Sequence, residues 1–288
     1  MESMRKPSWL KIRLPSDQNY FYVSNLVKSN EINTICESAK CPNISECWSE
    51  RTATFLILGD TCSRNCGFCA VKKGTPAPVS GDEADKIADA VYKLGLKYTV
   101  ITSVTRDDLD DGGSVHFAHV MRTVRAKIPD ILIEVLIPDF QGDLSALKTV
   151  VEAQPEVLNH NIEVPERIYS RVRRPVKNYR RSIELLGKAK KMGMVTKSGM
   201  MIGLGESWEE IIQTFSDLRD NRCDLLTIGQ YLQPTRNHIP VKKYYSPFEF
   251  DQLKKIAVNN GFQEVESGPL VRSSYGAHRM YLSFMDKN

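Results

Sequence analysis

Long apolar runs are missing from this 288-residue sequence: the longest, such as 131–137, are short and broken by Glu134. A membrane-spanning helix needs ~20 consecutive apolar residues, so a membrane protein is excluded as an expectation. An excess of charge of one sign is missing too, since 39 Lys+Arg stand against 35 Asp+Glu and leave a net charge of only +4. Nucleic-acid binding would require a concentrated basic face, and nothing this dilute supplies one. There is no low-complexity tract, no long linker and no collagen-like glycine period, which removes fibrous and disordered classes. The first ten residues carry Glu2, Arg5 and Lys6 and lack the apolar core of a secretory leader, so the cytoplasm is the expected compartment.

Cysteine is what the sequence has in an unusual pattern: seven residues, six of them between Cys36 and Cys69. An odd count in a chain of this length argues against a disulfide framework. Clustered, reduced thiols in the cytosol point instead to metal or redox chemistry. Cys223 stands alone before an apolar run and reads as a small buried hydrophobe.

From Thr54 onward, short apolar runs alternate with amphipathic ones. Strands are expected at 54–58, 98–104, 131–137, 157–162, 195–202 and 224–231, and helices at 83–94, 114–127, 143–152, 179–192, 207–220 and 247–260. Ala84, Ile87, Ala88, Val91 and Leu94 share one helical face. Ser207 with Glu210 forms a capping-box signature, and Gly193 and Gly261 stand where C-terminal caps belong. Six strand–helix units in strict order imply a parallel sheet with right-handed crossovers. Unusual residues follow nearly every strand instead of gathering at one crevice, which is how a TIM-type barrel builds its site. The expected fold class is therefore α/β, an incomplete (β/α)6 TIM-type barrel over 54–261. An N-terminal extension, 1–53, and a C-terminal one, 262–288, are expected to close over the site.

Two cysteine triplets carry the chemistry. The second, Cys62-x3-Cys66-x2-Cys69, lies on a loop directly after a strand. Three thiolates so placed can ligate three irons of a 4Fe–4S cube and leave the fourth open to a small ligand. Structural zinc is the bland alternative, but zinc prefers four ligands in two close pairs, and only Cys66 and Cys69 form a CxxC pair. His116 and His119 have the spacing of a further pair, yet they lie on an expected helix and need no metal. The first triplet, Cys36-x4-Cys41-x5-Cys47, is weak alone and specific only beside the second.

The spacing of the second triplet, with Phe68 before its last cysteine, resembles the signature of the radical S-adenosylmethionine (SAM) superfamily. Both triplets together resemble the lipoyl synthase family, and the resemblance runs along nearly the whole chain. It is carried by Cys41-Pro42-Asn43, the Gly59 to Cys69 loop, Thr102 to Leu109, Asn159 to Glu163, Arg173-Arg174-Pro175, Met201 to Glu206 and Arg272-Ser273-Ser274-Tyr275. One departure follows the last motif, where Gly276 stands in a position often held by His.

The resemblance implies sulfur insertion at C6 and C8 of an octanoyl chain borne on a lysine of a carrier protein. Such C–H bonds lie beyond ordinary side-chain chemistry, so the cofactor must carry the hard step. Two 4Fe–4S clusters are implied, with two SAM molecules consumed per lipoyl group. One cluster, on Cys62, Cys66 and Cys69, cleaves SAM reductively to a 5′-deoxyadenosyl radical. The other, on Cys36, Cys41, Cys47 and a serine of the Arg-Ser-Ser-Tyr motif, is spent as sulfur donor. Ser274 is the favoured serine and Ser273 the fallback; both could equally cap backbone groups. A harder oxygen donor suits a cluster meant to come apart.

Further contacts to SAM are implied for Asp111-Gly112-Gly113, Asn161, Glu163 and Gly203-Leu204-Gly205-Glu206, with Phe68 beside them. Each has a plainer reading: Gly-Gly as a turn before the Ser114 helix, and Glu163 as a partner of Arg173 or Arg174. The basic run Arg167, Arg171, Arg173, Arg174, Lys177, Arg180 and Arg181 is either a solvated face or a dock for an acidic carrier, with Arg174 nearest the substrate. Implied partners are an octanoylated lipoyl-carrier domain or the glycine-cleavage H protein, a reduced electron donor and a factor that rebuilds the spent cluster. No nucleic acid and no membrane is expected. The alternatives are another two-cluster radical enzyme (methylthiotransferase-like), biotin synthase, which lacks the first triplet, and a zinc-stabilised binding protein without catalysis.

Overall fold

The computed structural model describes residues 5–12 and 14–287. Residues 1–4, on which part of the leader reading rests, lie outside the described residues. The chain divides into two compact units, one of Ile12–Arg64 and Ala70–Glu156, the other of Met1–Lys11, Asn65–Cys69 and Val157–Asn288.

The first unit opens with α1 (Gln18–Ser29), α2 (Ile35–Ser38) and α3 (Ile44–Ser49), which the sequence reading left without structure. Asp17 and Thr34 cap α1 and α2 by accepting from the Tyr20 and Glu37 amides, which satisfies donors that a short helix cannot bond internally. Then come β1 (Thr54–Ile57), the two-residue pair β2 (Thr61–Cys62) and β3 (Lys72–Lys73), α4 (Glu83–Leu94), β4 (Tyr98–Ser103), α5 (Ser114–Lys127), β5 (Leu132–Leu136) and α6 (Leu144–Glu152). β4 pairs in parallel with β1 through Thr54↔Val100 and with β5 through Val100↔Glu134. The expected face of α4, with Ile87, Ala88 and Val91, is fully buried. Each such side chain removed from water is worth up to ~1.5–3 kcal/mol for the larger ones. An antiparallel bridge, Thr34↔Phe55, ties the N-terminal segment to β1.

The second unit continues the alternation with β6 (Val157–Asn159), α7 (Lys177–Lys191), β7 (Val195–Ile202), α8 (Trp208–Asp220), β8 (Leu225–Gln230), α9 (Pro247–Asn259), β9 (Glu264–Gly268) and α10 (Ala277–Met285). β6, β7, β8 and β9 are parallel neighbours in chain order. The Ser207–Glu210 capping box is formed, and Ser246 with Glu249 makes a second one ahead of Pro247. Strand β9 is an addition: it lies in the segment expected to be an extension, and α10 packs against it. Its sequence, Glu-Val-Glu-Ser-Gly, offers one apolar residue and so no strand signal.

Period-two alternation sorts the strands of this unit. Met200, Ile202, Leu226 and Ile228 join a buried cluster with Ile211, Phe215 and Leu218 of α8, and Phe250 and Leu253 of α9. The other face carries polar residues, with Asn159, Lys197 and Thr227 buried there. β5 shows the same in the first unit, where buried Glu134 accepts a 2.8 Å hydrogen bond from the Tyr98 hydroxyl. Cys223 is buried in the core, as expected.

Candidate functional site

The loop that carries Cys62 leaves β1 through a strained turn. Leu58 has φ +67° and Gly59 φ +91°, both left-handed, a conformation that costs a branched residue. Glu83 holds the turn: one carboxylate oxygen accepts from the Leu58 amide at 2.8 Å and the other from the Gly59 amide at 3.2 Å. His116 Nε2 lies 2.6 Å from the first of these oxygens. The histidine considered as a zinc ligand is therefore engaged in fixing the strand exit. Among the described residues no three His, Cys, Asp or Glu side chains are grouped to hold a single metal ion.

Arg64 sits inside the cysteine loop. Its amide donates to Cys62 Sγ at 3.4 Å, and its guanidinium grips Asp107 at 2.6 and 2.8 Å and buried Asp139 at 2.5 Å. Ser63 adds backbone and hydroxyl bonds to the Thr105 carbonyl. In the other unit, Gly67 donates to the Val172 carbonyl at 2.9 Å and the Cys69 carbonyl lies 3.0 Å from His238 Nε2. Phe68 packs against the hydrophobic cluster of that unit. Cys62, Cys66 and Cys69 are each partly exposed, and none of the seven cysteines is in a disulfide. Each of the three thiols is accessible, and three thiolates are the donor set that a cube with an open iron takes.

The first triplet is more enclosed. Cys36 is buried at α2, Cys47 lies on α3, and Cys41 joins them. Burial, then the charge of Cys41, pushes the Cys36 thiol up to about 11, although the Thr54 amide offsets part of this. Burial and then the charges of Cys36 and Cys41 push Cys47 up to about 12. These thiols are thus close enough to resist one another's ionisation. Thiols that are costly to ionise alone suit a cationic iron group, which stabilises thiolates. Backbone bonds hold the cradle: Cys41 N to Cys36 O and Cys47 N to Asn43 O, both 2.9 Å.

The remaining expected residues divide clearly. Asp111 accepts from the amides of Val115 (2.8 Å) and Gly113 (2.9 Å); burial opposes its charge, but these bonds prevail and its pKa lies below the usual carboxylate value. Gly113, at φ +89°, leaves no room for a Cβ against the Leu58 side chain, so packing alone requires glycine there. Glu206 is spent on its own loop, accepting from the Gly203 amide (2.5 Å), the Leu204 amide (2.9 Å) and the Tyr245 hydroxyl (3.1 Å). A Cβ on Gly203 would meet the Lys243 carbonyl at 2.6 Å, while exposed Gly205 gives its carbonyl to Arg167 at 2.8 Å.

Asn161 donates to the Ser273 hydroxyl at 2.9 Å, and its Oδ1 is buried with no hydrogen-bond partner. The Ser273 hydroxyl thus orients Asn161. Glu163, at φ +70°, is 4.0 Å from Arg174; burial raises its pKa against the pull of that arginine. Arg174 itself is buried, stacked 5.1 Å from the Tyr169 ring centroid. The basic run is thereby split. Arg167 pairs with Glu210, and Arg180 with Glu166 and Asp217, while Arg171, Arg173 and Lys177 are exposed. Sequence reasoning gave no role to Arg64, Asp107, Asp139 and Glu83, and weighed His116 only as a zinc ligand. Charged residues on strand-exit loops were the available signal for Arg64, Asp107 and Asp139.

The family model described as Radical SAM superfamily matches residues 56–218. A lipoyl synthase of Rubrobacter xylanophilus is 52% identical over 275 residues, spanning 95% of this chain and 85% of the relative. A lipoyl synthase of Bacillus cereus is 50% identical over 289 residues, spanning 99% of this chain and 97% of the relative. Among solved structures, methylornithine synthase aligns with TM-score 0.53 at 13% identity, over 89% of this chain and 83% of its own. The FeFe-hydrogenase maturase HydG from Carboxydothermus hydrogenoformans aligns with TM-score 0.55 at 15% identity, over 93% and 77%. At such identities the two structures show the fold alone, and they bear out the expected α/β class of the incomplete-barrel kind.

Proposed function

Because the chain belongs to the lipoyl synthase family of the radical SAM superfamily, and so is a sulfurtransferase that uses SAM and 4Fe–4S clusters on a protein substrate, we propose that its two cysteine triplets divide the work. Cys62, Cys66 and Cys69 hold the cluster that meets SAM; Cys36, Cys41 and Cys47, completed by Ser274, hold the cluster that is consumed as sulfur substrate. When bound, these groups supply the radical that abstracts hydrogen at C6 and C8 and the sulfide that replaces it. The observation that supports the division is the contrast between the sets: Cys62, Cys66 and Cys69 all lie partly exposed on a braced loop, whereas Cys36 is buried at α2 and burial pushes Cys36 and Cys47 up to about 11 and 12.

The protein's own contribution is placement and exclusion of water, the main levers left to side chains when a cofactor does the hard step. Gly112 and Gly113 offer backbone to the methionine moiety, with Asp111 ordering the turn and Phe68 backing the cysteine loop. Gly203 and Gly205, ordered by Glu206, serve the adenosine side. Asn161 sets Ser273, and Glu163 with Arg174 lines the substrate path. The working division is 1–53 for the sacrificial cysteines, 54–261 for radical generation and 262–288 for the serine motif. We place the reaction in the cytoplasm; no helix among the described residues is long and apolar enough to cross a membrane. A reduced electron donor and a cluster-rebuilding factor complete the cycle.

Anaerobic reconstitution should give about eight irons per chain, and an octanoyl-lysine peptide should yield the dithiolated product. Protein that forms 5′-deoxyadenosine without ever transferring sulfur would overturn the reading in favour of another radical activity. The carrier, an octanoylated lipoyl domain or the glycine-cleavage H protein, docks on the exposed Arg171, Arg173 and Lys177. Changing all three to Glu should raise KM for the intact carrier roughly tenfold at low salt and leave kcat within about twofold, since such charges steer encounter. The KM for a short octanoyl peptide should stay put. An unchanged carrier KM refutes this dock.

A further inference from the structure

A set of hydrogen bonds fixes the first cysteine of the SAM loop and the two residues after it, and none has a role in the reading above. The Arg64 amide points at Cys62 Sγ, 3.4 Å away. That amide is not free to wander, because the Arg64 guanidinium is locked by two carboxylates from two other loops. Asp107 follows β4 and takes Nε and Nη2 at 2.6 and 2.8 Å; Asp139 follows β5 and takes Nη2 at 2.5 Å. Asp139 is fully buried, and a buried charge pair is rigid because breaking it strands an ion. Between them, Ser63 donates through both its amide and its hydroxyl to the Thr105 carbonyl, and accepts from the Asp107 amide at 3.0 Å. On the other side of Cys62, its carbonyl accepts from Gly74 at 3.1 Å. Residues 62–64 are thus fixed by side chains 43 and 75 positions away.

We propose that the Arg64–Asp107–Asp139 clamp is a positioning device that raises the reduction potential of the SAM-cleaving cluster by holding the Arg64 N–H on the Cys62 sulfur. The inference rests on the reading that Cys62 is a cluster ligand. A hydrogen bond to a ligating sulfur favours the more negative, reduced state of the cluster, and bonds around such sulfurs are a main lever on its potential. The clamp touches neither SAM nor substrate; it acts through the loop.

The sign of the effect separates this from simple charge. Removing a carboxylate near a cluster removes negative charge, which on Coulombic grounds raises the potential. Releasing the amide lowers it. The test is an EPR-monitored redox titration of the fully reconstituted chain, comparing wild type with Asp107→Asn/Asp139→Asn and with Asp107→Asn alone, which alters only the more exposed carboxylate. The expected result is a fall in the reduced fraction at fixed potential, tenfold for the double variant and smaller for the single one. Tenfold corresponds to about 59 mV for one electron. Should the double variant not fold, a fall in the single variant supports the clamp. A midpoint that is unchanged or raised in the variants that fold overturns it. Cys62→Ala, run in parallel, should lose this cluster and its EPR signal altogether. If Cys62→Ala keeps the signal, the ligand assignment fails. If it loses the signal while the folded clamp variants titrate like wild type, only the clamp fails.

Discussion

Cys66→Ala is expected to reduce both 5′-deoxyadenosine formation and sulfur insertion to background. In the proposed division three thiolates anchor the SAM-cleaving cube, and an alanine methyl cannot replace one of them. The loss should be chemical and not structural. The Cys66 segment is fastened by Gly67 to the Val172 carbonyl at 2.9 Å, by Ile239 to the Gly67 carbonyl at 3.3 Å and by Phe68 against the core, none of which uses the thiol. The metal-free variant should therefore melt close to metal-free wild type, and its first-triplet cluster should still load. Iron content should drop from about eight to about four per chain. SAM cleavage that persists in Cys66→Ala, measured as 5′-deoxyadenosine by chromatography, would show that another residue completes the site.

The converse result is expected for Cys41→Ala. Here 5′-deoxyadenosine should form within a fewfold of the wild-type rate, while the dithiolated product disappears. Cys41 lies in the first triplet, where burial and then the charge of Cys41 push the Cys36 thiol up to about 11, and burial with the charges of Cys36 and Cys41 pushes Cys47 up to about 12. Two such thiols alone have lost a donor, and a cube on them should not survive purification. The measurement is a pair of yields from one incubation, deoxyadenosine against lipoyl product, by mass spectrometry. Lipoyl product from Cys41→Ala would mean that the sulfur comes from elsewhere. The two variants together make a strong test, because a general folding defect lowers both yields and neither expected pattern does that.

Much of this was legible in the sequence because its signals were local. Helical spacing from Ala84 to Leu94 marked α4, and Ser207 with Glu210 marked the start of α8, both as found. The cysteine spacings needed no structure at all. What stayed hidden depends on pairs distant in the chain. Arg64 reads as one more loop charge until Asp107 and Asp139 are seen around it. Ser273 cannot be connected with Asn161, 112 residues earlier, by any pattern of spacing. Strand β9 was missed because a neighbour already in place supplies its pairing, and its own side chains contribute little apolar surface. The short N-terminal helices were missed for a related reason: Asp17 and Thr34 start them by capping, a weaker signal than periodicity. Gly113 carries a second cause that the sequence did not show: a Cβ there would meet the Leu58 side chain.

The bonds that shape the first triplet's cradle run from amide to carbonyl, Cys41 to Cys36 and Cys47 to Asn43, with caps at Asp17 and Thr34. None of these named bonds passes through sulfur. An enzyme that destroys a cluster to make its product faces the danger of unfolding itself at each turnover, as zinc-dependent modules do when stripped. On the proposed reading this chain avoids it, because these backbone bonds do not need the cluster in place. After the sulfides are spent, the same backbone stands ready for a fresh load, so repeated turnover becomes a matter of supply and not of refolding.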